Sequence, residues 1–408
     1  MAFAKPKKIA FLEFVTLMAL MTSLTALSTN AMLPALPAIG NYLSVANAND
    51  LQLIVSFLFL GMAVGMIFYG PLSDSVGRKP PIYAGISIYI VGCLISLLAT
   101  DLDLMLVGRF VQGFGLAAFR TLCLAMVRDQ YKGDVMSRVM SFIMGVYIFV
   151  PAIAPTIGQA IVHFIDWHVV FLFFVALSLT VLIWITLRQP ETLAKENKKP
   201  LTFATLASGL KDILTNPVAL GYTIASGFVL SPFLAYMSTS QQVFQELYGL
   251  GPLYPAVFAV LSLSVGLASF LNAKLVMKFG MLRMALASVT VMVVVAAVVL
   301  WIAYFINGLV PFWLTMLYFP ITLFCVGILF GNLNSLAMQP LGHIAGLGAA
   351  FVGSISNFIS IPFAIIIGKA YANNVTPIVG GFLVFGLLTL GIIIWVNRWS
   401  QSSVATAN

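Results

Sequence analysis

Between Arg283 and Lys369 this chain contains no aspartate, glutamate, lysine or arginine. A soluble fold cannot accommodate so long an ion-free run, because its surface helices need charged faces and it carries about 25% charged residues in all. This chain has 8%, against 61% hydrophobic residues. A hydrocarbon layer about 30 Å thick takes roughly 20 apolar residues per helical crossing. The run is therefore long enough for three crossings, and the turn-forming pairs Asn307-Gly308 and Gln339-Pro340 divide it. A cytosolic enzyme does not fit these numbers.

Uncharged windows at 14–49, 51–73, 80–100, 139–165, 213–245, 247–273 and 370–397 extend the pattern along the chain. The apolar runs are continuous and lack the alternating ten-residue pattern of barrel strands, so they imply helices. The expected spans are 12–35, 50–70, 80–100, 103–127, 138–162, 167–187, 213–238, 251–274, 282–305, 309–335, 341–368 and 375–397. The fold class is thus an all-α integral membrane protein with twelve transmembrane helices. A cleaved signal peptide competes for the first span, but that run is longer than a signal core.

Basic residues set the orientation. With an inside amino terminus, the cytoplasmic segments hold Lys5, Lys7, Lys8, Arg78, Lys79, Arg128, Lys132, Arg138, Arg188, Lys195, Lys198, Lys199, Lys211, Lys274, Lys278, Arg283 and Arg398. The opposite side keeps Lys369 and the acids Asp50, Asp101, Asp103, Asp166 and Glu246. The net charge of +8 then reflects topology and contact with an anionic leaflet rather than nucleic acid. Both termini are expected in the cytoplasm. Cys93, Cys123 and Cys325 fall inside spans at unrelated spacings, which suits apolar core residues better than bridges or metal ligands.

The soluble stretch Arg188 to Asp212 divides the chain nearly in half, so the expected domains are a six-helix bundle at 1–187, a cytoplasmic linker at 188–212 and a second bundle at 213–408. The halves share a faint echo. The loop Gly70-Pro71-Leu72-Ser73-Asp74-Ser75-Val76-Gly77-Arg78-Lys79 is followed half a chain later by Leu275 and Gly280 at the spacing of Leu72 and Gly77, with Met277 where Asp74 stands.

That loop resembles the G-x-L-x-D-x-x-G-R-[RK] signature of the major facilitator superfamily, between helices two and three. Four more segments resemble its twelve-helix drug:proton antiporter group, in particular the Bcr/CflA branch of bicyclomycin and chloramphenicol resistance. They are Leu33-Pro34-Ala35-Leu36-Pro37, Arg109-Phe110-Val111-Gln112-Gly113, Arg128-Asp129-Gln130-Tyr131 and Gly342-His343-Ile344-Ala345-Gly346. The resemblance implies two pseudo-symmetric bundles and transport by alternating access. In the resembled branch an Asp commonly occupies the position held here by Asn30, so the resemblance does not carry over the usual carboxylate-arginine proton switch. Helix five carries Gly145, Pro151, Ala154, Pro155, Gly158 and Gln159, similar to the antiporter signature but lacking two of its glycines.

Physically, the signature loop reads as a gate: Gly70, Asp74, Gly77, Arg78 and Lys79, with Asp74 taking a charge-assisted bond from Arg78 or a neighbouring helix end that opening would separate. Pro151, Pro155 and Gly158 would kink helix five and let it lie against helix eight to seal the outward side. Arg109 and Arg120 sit in expected hydrocarbon, where an arginine costs roughly 2.5–3.5 kcal/mol. Eleven residues are about three turns, so both share a face with Gln112, which should border a wet cavity. Asn30, Tyr147, Tyr236, Asn332 and Asn357 complete the candidate cavity residues, each equally open to plain interhelical packing. Without a central acid the cavity should favour neutral, zwitterionic or anionic molecules. Glu13 and Asp74 are the proton-coupling candidates, with His343 a weaker one.

Gly113-Phe114-Gly115-Leu116-Ala117-Ala118 fits a relaxed dinucleotide fingerprint but has no preceding strand, so close packing is expected there. Gly61-Met62-Ala63-Val64-Gly65 likewise reads as a packing face, with dimerisation the alternative. No cofactor, metal or ATP site is implied. The expected partners are a small-molecule substrate, the proton and the lipid bilayer, with the protein acting as a monomer in a bacterial inner membrane. Rival readings are an importer or facilitator of an anionic metabolite or siderophore, and a transport-inactive membrane sensor.

Overall fold

The computed structural model describes residues 10–194, 196, 198, 202–306, 308 and 310–407. Lys5, Lys7, Lys8, Lys195, Lys199 and Asn307 lie outside the described residues. Described secondary structure is helical, without strands. The helices are α1 (Phe11–Asn30), α2 (Leu36–Tyr42), α3 (Gln52–Val76), α4 (Lys79–Leu97), α5 (Leu102–Gln130), α6 (Gly133–Phe164), α7 (His168–Arg188), α8 (Phe203–Thr215), α9 (Pro217–Gln241), α10 (Tyr254–Phe279), α11 (Met281–Phe305), α12 (Phe312–Met338), α13 (Ala345–Lys369) and α14 (Thr376–Ala407). Eleven described stretches are long and apolar enough to cross a membrane, and one of them, Phe312–Lys369, holds both α12 and α13. The short α2 and α8 are the additions to the twelve expected helices.

Three local differences have physical causes. The apolar run of α1 passes through a 3-10 turn at Leu33–Ala35 into α2, because Pro34 and Pro37 lack the N–H groups that would continue one α-helix. The expected loop at 70–79 is mostly helix: α3 continues through Pro71 to Val76, and only Gly77, at φ 110°, breaks it. The expected soluble linker contains α8, whose apolar side carries Ile213 and Gly209 inward, Gly209 against Leu347 of α13.

Close helix contact explains the glycine patterns. A Cβ on Gly61 would lie 2.0 Å from the Phe110 carbonyl oxygen, and one on Gly113 would lie 2.0 Å from that of Leu58, so α3 and α5 meet backbone to backbone. The fingerprint-like run at 113–118 and the small-residue run at 61–65 are thus internal packing surfaces. Cys93, Cys123 and Cys325 are buried and unbridged. Large apolar groups instead face outward, with Trp301 65%, Tyr304 81% and Trp313 65% exposed, as a lipid-facing belt requires.

Across the midpoint of the chain, α3 packs along α13 and α6 along α10. Ser354 of α13 donates to the Ala63 carbonyl of α3 at 2.7 Å. These two seams frame the site.

Candidate functional site

Between the seams lies a cleft of about 460 Å³, open where the basic helix ends gather. Its walls are α3 (Met66, Gly70, Asp74) and α5 (Arg120, Leu124, Arg128) on one side. Leu230 of α9, Phe330 and Asn334 of α12 and Gly353 and Asn357 of α13 stand on the other. An amphipathic lining of this volume is in the range of small-molecule pockets.

At the cleft mouth Arg78 is only 6% exposed. Its Nη1 donates to Asp74 Oδ1 at 2.5 Å and to Ser73 Oγ at 2.8 Å. Its Nε and Nη2 grip the two oxygens of Asp129 at 2.8 and 3.1 Å, the bidentate fork that makes arginine-carboxylate pairs strong. Burial pulls the Arg78 pKa down, but the bonds from Asp129 and Asp74 outweigh it and leave the value raised. Glu191, beyond α7, accepts the backbone N–H groups of Arg78 at 2.9 Å and Lys79 at 3.1 Å, so a carboxylate sits on the positive end of α4. Burial raises the Glu191 pKa, yet four backbone N–H donors, those of Leu193, Arg78, Lys79 and Thr192, bring it below the usual carboxyl value. Lys79 Nζ reaches the Gln189 carbonyl at 2.8 Å, and Lys198 Nζ that of Val76 at 2.8 Å.

The sequence reading left Asp74 to take a bond from Arg78 or from a neighbouring helix end; here Arg78 is the partner. The pair is intact beside an open cleft, because Arg78, Asp74 and Asp129 all belong to the same half of the chain. Asp129 stood in a quoted motif without a role, and Glu191 carried no sequence signal beyond its place after a span.

On the acidic side the two halves are joined by amides. Gln52 Nε2 donates to Gln242 Oε1 at 2.9 Å and to the Gly368 carbonyl at 3.2 Å. Asn49 Nδ2 donates to the Tyr371 carbonyl at 2.7 Å, and Gln242 Nε2 to Asn49 Oδ1 at 3.3 Å. Gly368 is required, since a Cβ there would lie 1.8 Å from Gln52 Oε1. Gln242 opens a π-helical turn, Gln242–Leu247, of the kind frequent at functional positions. Asp50 and Lys369 flank the cluster at 3.7 Å. Sequence reasoning missed these amides; their one signal was their position at the ends of spans.

The paired-arginine expectation divides. Arg120 lines the cleft, but Arg109 is 0% exposed and does not. Its Nε donates to the Ile54 carbonyl at 3.1 Å, Nη2 to that of Ser28 at 3.1 Å and Nη1 to Gln112 Oε1 at 2.6 Å. Gln112 in turn donates to Cys93 Sγ at 3.1 Å. Arg109 and Gln112 are corrected from cavity residues to a sealed clamp joining α1, α3 and α5. Helical phase sets the two arginines on one side of α5, but the neighbours change along its length.

Asn30 does not bond Arg109; its nitrogen donates to the Ala26 carbonyl at 2.8 Å. Tyr236 is buried with its ring 4.9 Å from that of Phe319, and Asn332 bonds Asn272 at 2.8 Å. Asn30, Tyr147, Tyr236 and Asn332 stand outside the cleft lining, whereas Asn357 is in it. Glu13 pairs with Arg188 at 2.7 Å and accepts from Trp184, also away from the cleft. His343 bonds Asp212 at 3.1 Å. On α6, which does pack against α10, Pro151 and Pro155 are internal, but Gly158 abuts α1: its Cβ would lie 1.9 Å from the Ala31 carbonyl oxygen.

A family model described as Major Facilitator Superfamily matches residues 18–365. The chain is 28% identical over 368 residues to the "Uncharacterized MFS-type transporter YdgK" of Bacillus subtilis, covering 87% of this chain and 90% of that one. It is 36% identical over 264 residues to the "Bicyclomycin resistance protein homolog" of Haemophilus influenzae, covering 62% and 65% respectively. The structure of the xylose transporter XylE from E. coli superposes with a TM-score of 0.70 at 14% identity, over 95% of this chain and 97% of that one. That likeness speaks to the fold.

Proposed function

This chain belongs to the Major Facilitator Superfamily of multi-pass membrane transporters, and from that premise we propose that it exports small amphipathic compounds, drugs among them, across a bacterial inner membrane. The two halves, 1–187 and 213–408, rock about the cleft while the linker 188–212 keeps both termini cytoplasmic. The observation that carries this reading is the amphipathic cleft between α3/α5 and α9/α12/α13, open on the basic side while amides close the acidic side. Relatives such as the bicyclomycin resistance homolog support export as the direction.

In this reading protons drive export. Asn30 cannot carry a proton and Glu13 is held by Arg188 outside the cleft, so of the two cleft carboxylates on Arg78 the more exposed, Asp74, is the coupling group. Substrate enters from the basic side and leaves as the amide closure parts; Asp74 then takes up a proton from the acidic side and, after return, releases it at the basic mouth. The protein works as a monomer.

The test is expression of the full chain in a pump-deficient host. Resistance to chloramphenicol-type compounds should rise, more than resistance to lipophilic cations; unchanged resistance overturns the export reading. Substrate-driven acidification or alkalinisation of proteoliposomes, abolished in Asp74→Asn, tests coupling. A second reading, uptake of an anionic metabolite, draws on the arginines of the cleft and is favoured instead if such vesicles accumulate anions without conferring resistance.

A further inference from the structure

The polar groups of the cleft do not balance. Its carboxylates among the described residues, Asp74 and Asp129, are both committed to Arg78. Arg120 and Arg128 line the same cleft with no carboxylate in pairing distance among the described residues. Arg128 is exposed at the mouth, where water and salt screen it, whereas Arg120 lies about two turns deeper along α5 and is partly buried. A guanidinium so placed presents a fork of donors to whatever occupies the cleft.

The facing wall has the complementary imbalance. Asn334 and Asn357 each donate an amide nitrogen to the backbone carbonyl four residues back, of Phe330 and Gly353, both at 2.8 Å. A backbone carbonyl can only accept, so the nitrogen must face it, and each amide keeps its Oδ1 acceptor and a second N–H for whatever occupies the cleft. Met66, Leu230 and Phe330 supply apolar surface between the two walls.

We propose that this cleft is an acid-binding site: it takes an amphipathic molecule whose acidic group pairs with Arg120 and whose separate N–H or O–H donor meets Asn334 or Asn357. The inference rests on the cleft being the transport site and narrows its substrate class. Two features of the site favour an acid over an alcohol or amide: the fork geometry of arginine matches a carboxylate or related oxyanion, and partial burial strengthens the attraction. A cation would meet Arg120 without a counter-charge, since Arg78 already holds both acids.

The experiment measures binding to the full chain in nanodiscs with three matched probes: N-acetyltryptophan, its neutral amide, and cationic tryptophanamide. The acid should bind at least about tenfold more tightly than the neutral amide, and the cation least. Arg120→Gln should bring acid and amide within about twofold of each other. Arg120→Lys, which keeps the charge without the fork, should retain a reduced preference and supplies the comparison if the glutamine variant does not fold. Equal binding of acid and amide, preference for the cation, no binding of the acid, or a preference surviving Arg120→Gln would each overturn the proposal. Drug resistance with no acid preference would sink the acid site alone; acid preference without resistance would sink the export reading alone.

Discussion

Two turns, one in each half, have the same backbone and opposite chemistry. Gly77 ends α3 at φ 110° and Gly280 ends α10 at φ 81°. Each donates its N–H to the carbonyl four residues back, of Ser73 and Val276, and in each the next helix starts within two residues. In the first turn Arg78 is enclosed by Asp74, Asp129 and Ser73, and Glu191 caps the following helix. In the second, Met277 stands 87% exposed where Asp74 would be, Lys278 lies over the Phe279 ring at 5.3 Å, and Arg283 is exposed. Backbone geometry follows from a glycine at the right place; the latch needs three carboxylates from three separate segments, and one turn has them.

The comparison breaks most visibly at the arginines. Arg78→Ala strands Asp129 and Asp74, and losing one partner of a buried charge cluster costs about 3–5 kcal/mol, whereas Arg283→Ala should stay within about 0.5 kcal/mol. Thermal unfolding of both variants in one lipid mixture checks this, and equal losses would mean the two turns are energetically alike. Next come the glycines. Gly77→Ala forces a side chain into left-handed backbone, about 1–2 kcal/mol, and sets its Cβ 2.7 Å from Glu191 Oε2, while Gly280→Ala meets open space and bears the strain alone. The first should unfold at a lower temperature than the second.

Asp74→Asn keeps a hydrogen-bond acceptor for Arg78 but removes one of its two charges, so expression should be preserved while export falls several-fold; wild-type flux would remove Asp74 from the mechanism. The smallest effect is at Glu191. Its pKa in the folded protein lies below the unfolded value of 4.5, so its contribution is complete above that value and is lost as pH falls through the lower, folded pKa. Unfolding followed from pH 6 to pH 3 should show a decline that Glu191→Gln reduces.

Much of this was legible in the sequence. Ion-free runs marked most of the twelve long helices because hydrocarbon tolerates few ions, while α5 had to be read through Asp103, Arg109 and Arg120; the spacing shared by Leu72–Gly77 and Leu275–Gly280 marked two turns of one geometry. The site was less legible. Helical phase aligned Arg109 with Arg120, yet phase says nothing about what packs at each level of α5, and α1 and α3 seal the first arginine while the second meets the cleft. Gln52, Gln242 and Gly368 form one cluster from distant parts of the chain, and an isolated amide at the end of a span carries no indication of its partner. Tyr236 and Asn332 sit in spans that do contribute to the cleft, but on their inner packing sides.

The amide closure on the acidic side has an electrical consequence. Gln52, Gln242, Asn49 and the Gly368 carbonyl carry no net charge, and Asp50 with Lys369 sums to zero. Parting the neutral amides transports no gating charge through the field, whereas one elementary charge crossing 100 mV is worth about 2.3 kcal/mol. In the proposed cycle the amide part of the far seal is therefore blind to membrane potential, and on that side only the Asp50–Lys369 pair can feel it.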